Sequence, residues 1–155
     1  MILEIEVIFT MGHFHGEEWP PSPARLFQAL VAASHLGAHG LIHQTVRDEA
    51  LRWLERQDPP AILATDAVQQ RQHLINYVPN NDDQLGEDAH VRTDKSVGAW
   101  FFPESSAATY RWQLGAEAKD TKQADVIAAM ASLITYLGRT VDLAYGRGRL
   151  IAAQP

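Results

Sequence analysis

The sequence predicts an α+β fold of the ferredoxin-like kind, and three observations point there. Residues 2 to 9, ILEIEVIF, alternate with period two. Two segments, 24–36 and 121–137, have helical spacing, with strand candidates between them and after the second. With one extra helix and one long loop insertion set aside, the element order is β-α-β-β-α-β, that of two helices packed on one face of an antiparallel sheet. The chain has 155 residues, with no repeat, low-complexity tract or internal linker, so a single domain over 1–155 is expected.

In the first strand, Leu3, Ile5, Val7 and Phe9 share one face, with Glu4 and Glu6 on the other. A short loop, MGHFHGEEW, leads to Pro20-Pro21-Ser22-Pro23. Ser22 suits an N-cap and Pro23 the first helical position, where proline's missing N–H costs nothing. Leu26, Phe27, Leu30, Val31 and Ala33 form the stripe of a helix that ends near Leu36, with Gly37 as its C′ residue. A second helix is expected from Thr45, with Asp48 completing a capping box, and Asp58-Pro59-Pro60 ends it. Residues 61–72 fit no single element, whereas His73 to Val78 reads as a strand stopped by Pro79.

The stretch NNDDQLGEDAHVRTDKS, 80–96, is polar and turn-rich and reads as a long loop. Its acidic residues match no calcium-binding spacing and suit a solvated surface. Val97 to Phe102 and Thr109 to Leu114 are aromatic strand candidates around a Pro-Glu-Ser-Ser turn, with Phe101 and one tryptophan expected in the core. Asp120 and Gln123 suggest a capping box before the helix 121–137, and Gly138 its C′ residue. A last strand covers Val141 to Tyr145 and resumes at Arg149 after a Gly-Arg-Gly break.

Composition removes several functions. Zero cysteines excludes disulfides, thiolate metal sites and a cysteine nucleophile. There is no G-x-S-x-G elbow, Walker A loop or G-x-G-x-x-G fingerprint, so nucleotide hydrolysis and hydride transfer have no support and no cofactor is expected. No apolar run reaches the ~18 residues of a membrane span. The start, Met1-Ile2-Leu3-Glu4, lacks a signal peptide's positive region, so a cytoplasmic location is expected. A net charge of −6 opposes non-specific nucleic-acid binding. Residues 138–149 nonetheless hold three arginines against one aspartate. There Arg139, Arg147 and Arg149 suit phosphate, Gly146 and Gly148 allow close backbone approach, and Tyr145 can stack on a base. The competing reading is a glycine-kinked edge strand whose arginines block aggregation. His13 and His15, followed by Glu17 and Glu18, allow a metal triad or an acid–base histidine, but an exposed loop is the preferred reading and no metal is expected.

The run Glu18-Trp19-Pro20-Pro21-Ser22-Pro23-Ala24-Arg25-Leu26-Phe27-Gln28-Ala29-Leu30-Val31-Ala32 resembles the N-terminal half of the CRISPR type I-U (I-G) Cascade subunit that fuses Cas-five-like and Cas-six-like domains. Asn76-Tyr77-Val78-Pro79-Asn80-Asn81-Asp82 and Tyr136-Leu137-Gly138-Arg139 match two shorter stretches of that family. The resemblance implies a RAMP domain that holds the 5′ handle of the CRISPR RNA without cutting it and caps the complex's backbone. Its partners would be the Cas-seven-like backbone and the large subunit, with target DNA engaged indirectly and no membrane. The Cas-six-like domain is expected to be absent from this chain. The 80–96 segment lies where such subunits insert a thumb, with Arg92 and Lys95 available for phosphate. The glycine-arginine segment lies at the family's RNA-contacting loop, and Arg25 serves either RNA or its own helix start. Two alternatives stand beside this reading: a metal-independent endoribonuclease using His13 or His15, and an acidic protein–protein adaptor without RNA contact.

Overall fold

A computed structural model describes residues 1–36, 42–70, 75–79, 92–96, 99–115 and 117–153, with backbone alone for 75–79 and 92–96. Its strands are β1 (Ile2–Phe9), β2 (Phe14–Gly16), β3 (Ala61–Ala64), β4 (Ala67–Gln70), β5 (Ile75–Pro79), β6 (Arg92–Ser96), β7 (Ala99–Pro103), β8 (Ala107–Gln113) and β9 (Ala144–Ile151). The helices are α1 (Pro23–Leu36), α2 (Gln44–Leu54) and α3 (Ala118–Ala131).

The alternation of β1 puts Leu3, Ile5, Val7 and Phe9 into the core, none more than 2% exposed. Burying side chains of this size stabilises the fold by about 1.5–3 kcal/mol each. β1 pairs antiparallel with β8, Ile5 opposite Tyr110, and on its other edge with β9, Ile5 opposite Gly148. β3 extends the sheet beyond β8, giving the order β3-β8-β1-β9. This is the ferredoxin-like arrangement, in which each half of the chain lays a strand between two strands of the other. Helices α1 and α3 cover one face, with α2 packed on α3. Trp53 of α2 donates its indole N–H to Asp120 of α3 at 2.8 Å.

A second sheet, β2-β7-β4, pairs Phe14 with Phe101 and Val68 with Phe102. Phe14 and Phe101 turn inward, where the Phe14 ring meets Phe9 and Trp19. Trp19 donates its indole N–H to the Thr65 carbonyl at 2.9 Å, and the Tyr110 hydroxyl donates to the Pro21 carbonyl at 2.7 Å. Burial pushes the Tyr110 hydroxyl pKa up, so it stays a donor at every ordinary pH. These two bonds fasten the Trp-Pro-Pro-Ser-Pro stretch to β8 and to the link between β3 and β4. No helix among the described residues is long and apolar enough to cross a membrane.

Ser22 precedes α1 and accepts at its carbonyl from Arg25 and Leu26, as expected, and Phe101 and Trp112 are core residues. Gly37 lies outside the described residues. Other local expectations are corrected. The N-cap of α2 is His43, whose Nδ1 accepts from the Thr45 amide at 3.3 Å, and Asp48 pairs with Arg47. Helix α3 starts after Glu117 and stops at Ser132, so Asp120 lies in its first turn and Gly138 is six residues past the C-cap. Residues 61–70, left open by the sequence, are two short strands in different sheets. Part of the supposed loop 80–96 is strand, since β6 pairs with β5 in a hairpin, Tyr77 opposite Asp94. Residues 80–91 lie outside the described residues.

Candidate nucleic-acid interface

β9 runs unbroken through the Gly-Arg-Gly sequence that was expected to interrupt it. Gly146 and Gly148 face α3, and a Cβ on them would overlap the backbone of Ala131 and Ala128 respectively. The glycines therefore let helix and strand approach; they form strand here, not a loop. Tyr145, Arg147 and Arg149 alternate with them and point outward, on the face opposite the helices.

Three further residues, Glu4, Glu6 and Arg111, belong to this open face. Glu4 of β1 lies opposite both Arg111 of β8 and Arg149 of β9. Each arginine donates its Nε–H to one oxygen of the Glu4 carboxylate, at 2.6 Å in both cases. The carboxylate is 2% exposed, whereas the arginines are 41% and 67% exposed, so the anion is roofed by its cations. Burial alone would raise the Glu4 pKa. Together, the hydrogen bonds and charges of Arg111 and Arg149 outweigh it and hold the carboxyl below its ordinary range. Arg147 lies 3.9 Å from Glu6, and its guanidinium carbon sits 5.3 Å from the Tyr145 ring centre. Three arginines against two glutamates leave the patch one net positive charge, inside a chain of −6. Sequence reasoning missed Arg111 because its partner, Glu4, is 107 residues away, and Glu4 is 145 residues from Arg149. The inward neighbours Tyr110 and Trp112 were the one available signal that Arg111 points out.

The remaining candidates lie elsewhere. Arg25 is exposed on the first turn of α1, beside Glu17, Glu18 and Pro21. Arg92 and Lys95 lie on β6, and their side chains are outside the described residues. Arg139 is exposed in the loop between α3 and β9, where Gly138 takes a φ of +94° that a side chain would strain.

That loop closes on Asp142. Its Oδ2 accepts from the Arg139 amide at 3.3 Å, and its carbonyl from the Leu137 amide at 3.1 Å. Its Oδ1 accepts from the His15 amide at 2.9 Å and from His15 Nδ1 at 2.7 Å. His15 is thus buried, contrary to the exposed loop expected for it, because strand β2 turns it toward Trp100 and Asp142. The carboxylate that joins the two histidines is Asp142; Glu17 and Glu18 are exposed. His13 is half-buried, its ring 4.7 Å from that of Trp100.

The fold and the open face define a ferredoxin-like domain with a structured cationic surface. The model of a CRISPR-associated protein family, the GSU0054 family, matches residues 12–154, and the chain belongs to that family. It is therefore a CRISPR-associated protein. No curated protein matches it.

Proposed function

We propose that the chain is the Cas-five-like RAMP domain of a type I-U (I-G) Cascade complex, working in the cytoplasm. In this reading it binds the 5′ handle of the CRISPR RNA without cleaving it and caps the complex's backbone. The observation that carries the proposal is the outer face of β8, β1 and β9, where Tyr145 stands beside Arg147, and Arg111 and Arg149 flank Glu4 further along the same face. An aromatic ring among cations suits single-stranded RNA, because bases stack on the ring while phosphates meet the guanidiniums. The glutamates beneath fix the arginines in place, which lowers the entropy cost of ordering them on RNA. Family membership supplies the CRISPR context. The Cas-seven-like and large subunits are the proposed protein partners, with DNA reached through the assembled complex. Arg139, Arg25, Arg92 and Lys95 would extend the contact beyond the sheet.

Binding of handle RNA across a salt series tests this. Each phosphate contact contributes about 0.7 to the slope of log K against log salt for a single strand. Replacing Arg147 and Arg149 with alanine should flatten it by about 1.4. The endoribonuclease reading rests on His13, the less buried of the two histidines. Cleavage of repeat RNA in EDTA, abolished by His13→Ala, would replace the binding proposal with that one.

A further inference from the structure

We infer that His13, His15 and Asp142 form a site for one divalent first-row transition-metal ion, zinc in the simplest case. The ion would pin the loop between α3 and β9 to β2. Two segments far apart in sequence supply three ligand atoms, one from each residue, and these atoms lie within 4.8 Å of one another. His15 Nδ1 and Asp142 Oδ1 are already 2.7 Å apart, and need open only to the ~3.4 Å that tetrahedral bonds of about 2.1 Å impose. Two imidazoles and a carboxylate suit zinc and its neighbours, whereas magnesium and calcium take oxygen ligands.

The surroundings resemble those of a built site. Asp142 is 1% exposed, and two backbone amides, of His15 and Arg139, hold its carboxylate. Such outer donors orient ligands in metal centres. Trp100 and Phe102 lie against the His13 ring and limit access of water. The His15–Asp142 hydrogen bond by itself accounts for two of the three residues. It does not account for His13, whose ring stands edge-on to His15 at 5.4 Å and takes no part in the described hydrogen bonds. When the ion enters, neutral His15 carries its one ring proton on Nε2, reached by exchange through solvent, and the Nδ1 lone pair binds the metal; protons compete with the ion for both imidazoles, so affinity falls as pH falls. Once His13 and Asp142 have bound too, the remaining coordination position is left to water.

Chelator-stripped protein titrated with Co²⁺ and Zn²⁺ tests the site. Expected are one equivalent of saturable Co²⁺ binding with visible d–d bands that Zn²⁺ abolishes, and a melting temperature raised by Zn²⁺ but not by Mg²⁺. His13→Ala should weaken Co²⁺ binding by at least about tenfold, and the metal-free melting temperature should stay unchanged. If His13→Ala melts early, His13→Gln, of similar volume, gives the same readout. Absence of saturable binding by the natural protein overturns the inference, as does equal binding by protein and variant.

Discussion

Glu4 is an anion under a roof of two arginines, and its protonation should be felt in stability. Because its folded pKa is lowered, its contribution is fully present above the ordinary value of 4.5 and is lost as pH falls through the folded value. Glu4→Gln should cost about 1–2 kcal/mol at pH 7, the range for hydrogen bonds to charged groups with partly exposed partners. That cost should shrink toward zero in strong acid, where the natural residue is also neutral. Urea denaturation from pH 7 to pH 3 measures both; a cost that does not change with pH contradicts the roofed pair. At Tyr110 the expectation is simpler. Tyr110→Phe leaves the Pro21 carbonyl without its buried donor and should destabilise by about 1–3 kcal/mol. A loss under 0.5 kcal/mol in the same denaturation would show that this bond does not hold the segment.

At the scale of elements, Gly146 and Gly148 join β9 to α3. Alanine at either must displace helix backbone, so Gly148→Ala should cost at least about 2 kcal/mol, in the range for overpacked sites. The slope of RNA binding with salt should stay as it is, since the glycines face the helix. Chemical denaturation paired with a salt series separates the two effects; a stable variant with a changed slope would reverse the assignment. These glycines show why local pattern was only partly informative. Glycine in a strand usually signals a break, but here it answers a helix that only the tertiary fold brings near. The end of α3 was hidden for a related reason. Met130, Leu133, Ile134 and Leu137 keep helical spacing, and Met130, Ile134 and Leu137 are buried, but the last two are carried by the loop that closes on Asp142. By contrast, the strict alternation of β1 and the Ser22-Pro23 start of α1 depend on near neighbours, and both were legible.

For the whole molecule, the ferredoxin-like class was legible from β1, β8, α1 and α3, while β3, which completes the main sheet, and the assembly of the second sheet were not, because these strands are short and pair across long separations. The candidate site divides in the same way. Tyr145, Arg147 and Arg149 were visible as residue types in one segment, whereas Arg111, Glu4 and Asp142 enter only through sheet register and loop closure. Net charge was the least informative property. A total of −6 coexists with a positive patch because burying Glu4 beneath Arg111 and Arg149 leaves cations at the surface. The central claim is that this patch binds RNA phosphate, and the salt series on handle RNA tests it most directly. With melting temperature confirming the fold, Arg147→Ala with Arg149→Ala should flatten the slope by about 1.4 and weaken binding at low salt. A slope identical to that of the natural protein would contradict the claim.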